Sequence, residues 1–254
     1  MLEEAIRRAQ KPGDVLLMTH TVVGYPSLEA SYEIIRTMVD SGVELIELQI
    51  PFSEPIADGP VILQANQAAL EAGVSVNDCF ELAERVCREF PIPFLFMSYY
   101  NILFKAGVAS FLRRAKDTGI QGLIVPDLPP EEGTEYLALT KVDALDPVLI
   151  FSPNTSDARL AYLAEHARGL VYCVARRGVT GHKTQFSQEL ADYLARCRRA
   201  TSLPLALGFG VKGPDDIRFL RGKVDVAVVG TETLRILQTD GVRCVGPFLR
   251  NLRR

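Results

Sequence analysis

The chain has 254 residues, with 28 Lys and Arg against 31 Asp and Glu and a formal net charge of -3; its pI is near 5.7. That length allows one α/β barrel or two smaller domains, and the acidic balance argues against a broad electrostatic surface for nucleic acid or membrane. Five cysteines, odd in number and without a C-x-x-C pair, indicate neither a disulfide framework nor a zinc site and point to free thiols in a reducing cytoplasm.

The opening stretch, MLEEAIRRAQKPGD, carries both charge signs and no apolar run, unlike a secretory signal. No window of about 18 uncharged apolar residues follows, so no segment is expected to span a membrane. From there short apolar runs alternate with longer amphipathic ones. Strands are predicted over 14–20, 43–50, 93–99, 120–126, 146–152, 169–175, 203–209 and 224–230. Between the first two, 28–39 repeats its apolar residues at three- and four-residue spacing, as a helix does. Two successive helices fill 61–90, an insertion after the second strand, and 106–118 reads as a helix closed by Gly119.

Eight βα alternations with no linker or composition shift fit a single (β/α)8 barrel, a TIM barrel with extra helices after strand two, covering 1–254 as one domain. An open doubly wound sheet also alternates, but no strand runs into G-x-G-x-x-G opening a helix; Gly208-Phe209-Gly210 is a lone G-x-G. Basic clusters at Arg196, Arg198 and Arg199 and at Arg250, Arg253 and Arg254 are expected on solvated surfaces.

The segment 43–60, VELIELQIPFSEPIADGP, organises the chain. Side chains alternate along a strand, so Val43, Leu45, Glu47 and Gln49 share one face. A charge among apolar neighbours there calls for a purpose. Pro51 and Pro55 end the strand and Asp58 follows on the loop, so a strand-end Glu and a loop Asp can meet across one cavity as an acid–base pair. Taken alone, Glu47 could equally be a buried acid paired with an arginine, and Asp58 a turn residue of an Asp-Gly pair.

In a barrel, chemistry gathers where strands run into the following loops. Those ends carry His20, Glu47 with Asp58, Tyr99 to Asn101, Asp127, Ser152 to Asn154, the Tyr172 to Arg177 stretch, Gly208 to Gly210, and Gly230 with Thr231. Three late glycine-bearing turns lie where such barrels bind phosphate, with backbone donors and Thr231 to hold it, although each glycine alone could serve only a tight turn. The loop 176–186 is polar and glycine-hinged, the composition of a lid. No predicted strand ends in a lysine that could form an imine, and no His/Asp/Glu cluster has metal-ligand spacing. Carboxylate acid–base chemistry on a small phosphorylated substrate is what remains.

IELQIPFSEPIADGP resembles the strand-two signature of tryptophan synthase alpha subunits, LELGxPFSDPxADGP. The resemblance continues in order through VVGYPS, FLFMSYYNILFKAG, IVPDLPPEE, RRGVTG and GFGV, over roughly 15–235. It implies a (β/α)8 barrel that cleaves indole-3-glycerol phosphate to indole and glyceraldehyde 3-phosphate in tryptophan biosynthesis. It further implies an αββα heterotetramer with a beta subunit that carries the pyridoxal phosphate, and no cofactor in this chain. By motif, Glu47 and Asp58 fall on the catalytic Glu and Asp and Tyr172 on a tyrosine near that Glu. Gly181, Gly210, Gly230 and Thr231 fall on phosphate positions and Thr180 on a lid threonine. The segments 53–60 and 99–107 match the surfaces that face the beta subunit.

This sequence departs from the pattern at several places. Gln49 stands for Gly on the Glu47 face, Glu54 for Asp, Ala175 for Ser, Thr231 for Ser, and Glu232 adjoins the phosphate position. His20 replaces the aromatic beside the indole, where it either packs against the ring or titrates. Two other readings stay open: a regulatory subunit that has lost cleavage, and another phosphosugar barrel, which would want an inward lysine or paired aspartates at strands one and five.

Overall fold

A computed structural model describes residues 2–56, 58–175, 187–208 and 210–253. Its eight strands are β1 (Leu16–Val22), β2 (Leu45–Gln49), β3 (Phe94–Met97), β4 (Gly122–Ile124), β5 (Asp146–Phe151), β6 (Val171–Val174), β7 (Leu205–Gly208) and β8 (Val226–Val229). They pair in sequence order, all parallel, and β8 returns to β1 to close the barrel. The strands are buried on both faces, which is why they read as continuous apolar runs rather than alternating ones.

The helices lie outside. α1 (Leu2–Ala9) precedes the barrel and α2 (Leu28–Asp40) follows β1; α3 (Pro60–Glu71) and α4 (Val76–Glu89) together follow β2, as the pattern over 61–90 predicts. α5 (Tyr100–Ala106) and α6 (Val108–Asp117) follow β3, then come α7 (Thr134–Val142), α8 (Asp157–His166), α9 (Gln188–Ala200), α10 (Pro214–Leu220), α11 (Thr231–Asp240) and α12 (Val242–Leu252). Local signals set several starts. Ser27 Oγ accepts from Ala30 N (3.1 Å) at α2, and Ser75 and Asp78 cap each other's backbone at α4. The helix predicted over 106–118 begins instead at Val108, because Gly107 adopts φ +81° and separates α5 from α6.

Two hydrophobic layers result. Outward residues such as Ile46, Leu48 and Phe96 pack beneath the helices. Inward ones fill the barrel: Met18, Leu45, Leu95, Val148, Leu170 and Val226. α1 plugs the lower end with Leu2 and Ile6, and the buried Asp146 carboxylate accepts from Leu2 N (3.0 Å), capping the helix N-terminus. A Cβ on Gly122 would fall 2.5 Å from Leu2 Cδ1 and 2.9 Å from the Asp146 carbonyl oxygen, so a side chain there would crowd both the plug and the neighbouring strand. Arg196 and Arg253 differ from the solvated role expected of them. Arg196 binds Asp157 and the Thr155 carbonyl, and Arg253 binds Glu44, fastening the end of α12 to the foot of β2. Among the described residues no helix is long and apolar enough to cross a membrane.

Candidate active site

The barrel interior is apolar at its lower end and polar at the upper, where the strands finish. β1 runs to Val22, two residues past the predicted end, so His20 lies within the strand rather than at its tip. In register across the β1–β2 pair it stands directly beside Glu47. Both point inward, His20 5% and Glu47 4% exposed, and His20 Nδ1 lies 3.1 Å from Glu47 Oε1. Glu47 Oε2 and His20 Nε2 have no partner among the described residues. Among the described residues no guanidinium pairs with Glu47, whose one charged neighbour within reach is His20.

Burial acts against a charge on His20, but Glu47, through its charge and hydrogen bond, and Asp58, through its charge, outweigh it; the ring's pKa is raised from 6.5. The acid from the following loop closes the group. Asp58 is pushed up from 3.8, mainly by burial and also by the Glu47 charge, while hydrogen bonds from Gln49 and Tyr99 and the charge on His20 pull the other way. Gln49 Nε2 donates to Asp58 Oδ2 at 2.7 Å. The Gln49 that departs from the family pattern thus ties the loop acid to the top of β2.

Asn66, fully buried in α3, fixes the same loop from behind. Its Oδ1 accepts from Phe52 N (3.0 Å), and its Nδ2 donates to the Ile62 carbonyl (2.9 Å) and approaches Asp58 Oδ2 at 3.4 Å. Asn66 is not among the residues that the motifs single out. Its signal was an asparagine inside a helix, a poor helix former that needs a reason to be there. Phe52 stacks on Tyr99 with ring centroids 5.0 Å apart, joining the loop after β2 to the end of β3.

Tyr172 enters from β6. Burial first, then the charges of Glu47 and Asp58, push its phenol well above 10, so it stays a neutral donor facing the two carboxylates. Its ring lies against Gly208 of β7, where a Cβ would fall 2.3 Å from Tyr172 Oη. Gly208, in the glycine-bearing turn 208–210, also makes room for this ring. Gly208→Ala should therefore displace Tyr172 or β7, lowering stability by about 1–3 kcal/mol and reducing turnover; thermal unfolding and steady-state rates check both.

The last quarter holds Gly210, with φ +117°, and Gly230, which starts α11 with no side-chain cap. α10 differs: Asp216 Oδ2 accepts from Lys212 N and Gly213 N (2.7 and 3.0 Å), occupying that helix start from within. Glu232, awkward beside a phosphate, is held by Arg235 on its own helix. Thr231 is the first residue of α11. Asp127 accepts from Tyr100 N, tying the end of β4 to the start of α5, whereas Ser152 bonds Asn154 and Thr155 within its own turn. Thr180 and Gly181, with the rest of the predicted lid at 176–186, lie outside the described residues. Among the described residues no cluster of His, Cys, Asp and Glu could hold a metal ion.

The family model described as "Tryptophan synthase alpha chain" matches residues 6–244. The tryptophan synthase alpha chain of Syntrophotalea carbinolica is 55% identical over 100% of both chains, and that of Desulforapulum autotrophicum is 57% identical over 99% of this chain and 100% of its own. Among solved structures, a Mycobacterium tuberculosis tryptophan synthase superposes with TM-score 0.93 at 30% identity, covering 99% of this chain and 96% of that one. A chain of the tryptophan synthase a2b2 complex of Pyrococcus furiosus does so with TM-score 0.88 at 29% identity, covering 95% and 99%.

Proposed function

The chain belongs to the tryptophan synthase alpha chain family, and from that premise we propose that Glu47 is the proton carrier and Asp58 the charge stabiliser of its reaction. The reaction is the lyase step of tryptophan biosynthesis that cleaves indole-3-glycerol phosphate to indole and glyceraldehyde 3-phosphate. The observation that carries the assignment is the buried Glu47, free at Oε2 and unpaired with any guanidinium among the described residues.

Breaking the carbon–carbon bond needs a proton on indole C3, which leaves an iminium-like ring, and removal of the proton from the adjacent side-chain hydroxyl. Glu47 gives the first and takes the second, so it ends each cycle as it began. As the ring gains positive charge at N1, the Asp58 carboxylate, oriented by Gln49 and Tyr99, stabilises it without having to move. The bond then breaks, its electrons restore the indole, and the hydroxyl oxygen becomes the aldehyde.

His20 and Tyr172 are assigned to the indole end of the pocket, and Gly210, Gly230 and Thr231, with Thr180 and Gly181, to the phosphate end. The positive φ of Gly210 and the start of α11, where Gly230 supplies no side-chain cap, support the second assignment, since a helix start of this kind presents backbone N–H groups to an anion. The chain itself is assigned no cofactor; no described lysine is buried where it could form an imine. Pyridoxal phosphate belongs, in this reading, to a partner beta subunit in an αββα heterotetramer. Ile56 and Phe104, exposed at 67% and 69%, give 53–60 and 99–107 the apolar surface that such docking requires. Residues 1–254 are read as one domain, and five free cysteines favour a cytoplasmic setting.

Indole release from indole-3-glycerol phosphate by the purified chain, with and without the cognate beta subunit, tests this. Release by the chain alone, faster with the partner, is the expected result; no release in either condition would leave only the regulatory-subunit reading.

A further inference from the structure

His20 occupies a position unlike anything a single proton-carrying carboxyl requires. It stands beside Glu47, in register across β1–β2 and almost equally buried, with Nδ1 3.1 Å from Oε1. We propose that His20 is a positioning residue that grips Glu47 Oε1 through Nδ1 and shares with it the one proton that the carboxyl carries to and from the substrate. This rests on the reading of Glu47 as proton carrier.

An arginine here would hold the carboxylate permanently charged, and a phenylalanine would leave Oε1 with no donor. Imidazole does neither, because it exchanges a proton near neutral pH. The pair holds one exchangeable proton, on the ring or on the carboxyl. That proton leaves Glu47 for indole C3 and is replaced by the one from the substrate hydroxyl, so none is gained or lost per turnover. Two groups this close titrate as a unit rather than separately.

The described elements around the ring are β2 with its loop, β6 and the start of α11. β2 presents Glu47 and the loop after it Asp58, both of which favour the charged ring. β6 presents Tyr172, which stays a neutral phenol. At the start of α11, Gly230 has no side chain; a Cβ there would fall 3.3 Å from His20 Cβ. Glu232 beyond it is taken up by Arg235. Among the described residues no other titratable group stands within hydrogen-bond reach of the ring, and burial, which alone would lower the ring's pKa, is outweighed by Glu47 and Asp58 so that it is raised from 6.5. Turnover should fall as pH rises past the point where the pair loses its last proton.

The test is the pH profile of kcat/KM for indole release by the full chain with its beta subunit, for the native protein and His20→Asn. Asparagine keeps an N–H donor at the position of Nδ1 but holds no proton. The expected result is an alkaline limb about one pH unit or more lower in His20→Asn. NMR of histidine-labelled protein supplies a readout independent of turnover. There are three histidines, so His20 is identified by the signal that His20→Asn removes. Its midpoint should lie above 6.5 in the native chain and fall in Glu47→Gln, where burial acts alone. Superimposable pH profiles, or a His20 midpoint indifferent to Glu47→Gln, would overturn the inference even if Glu47→Gln is inactive. Full activity in Glu47→Gln would instead remove the reading of Glu47 itself. Should His20→Asn fail to fold, native and Glu47→Gln spectra decide alone, the labile signal being assigned by its proximity to Glu47.

Discussion

Glu47→Gln is expected to lower indole release by about 10²–10⁴-fold, the contribution usual for a positioned acid–base group, while unfolding at close to the native temperature. Glutamine has the shape of the carboxyl and can still meet His20 Nδ1, but it can neither deliver a proton to C3 nor accept one from the hydroxyl. Stability should not suffer, because a buried carboxylate is costly to desolvate and replacing it with an amide removes that cost. Steady-state assay together with thermal unfolding separates the two effects. A large loss of both would mean that Glu47 holds the barrel together rather than doing its chemistry.

Asp58→Asn should cost about 10²–10³-fold in kcat, the range for removing one preorganised electrostatic contact to a developing charge. Asparagine can still accept from Gln49, so the loop should keep its position. The native pH profile gives a second check. Asp58 must be ionised to stabilise the ring, and its pKa is raised from 3.8 chiefly by burial. Activity should therefore be lost on acidification at a higher pH than for a solvent-exposed aspartate, and Asp58→Asn should abolish the part of that limb that Asp58 contributes.

Much of the barrel was legible because its strands are buried on both faces and its helices on one, two patterns that differ in period. The paired helices after β2 followed from the same periodicity. The plug was not legible: α1 looks like an ordinary charged surface helix until Leu2 meets Gly122 and Asp146 at the lower end. Nor was the break at Gly107, where a positive φ interrupts a pattern that otherwise runs on.

At the site, Glu47 was legible as an acid on an apolar face, and Asp58 through its place in a long motif. What those residues touch was not. His20 and Glu47 are 27 positions apart and meet only through strand register, which apolar patterning does not specify to the residue. Gln49 stands out only as a departure from glycine on the Glu47 face, and in the structure it anchors Asp58. Gly208 reads as part of a glycine-bearing turn, and the pattern gives no sign that it also accommodates Tyr172. In each case the side chain's chemistry was readable, but its partner came from another strand.

Proton transfer between Glu47 and indole C3 is the step on which the mechanism depends, and hydrogen exchange reads it directly. Indole is incubated with the chain and its beta subunit in D2O, with glycerol phosphate occupying the phosphate end, and deuterium at C3 is followed by NMR. The account predicts that the native chain carries deuterium into C3 well above the solvent rate and that Glu47→Gln does not. Exchange by Glu47→Gln at the native rate, or none by a native chain that still releases indole, would contradict it.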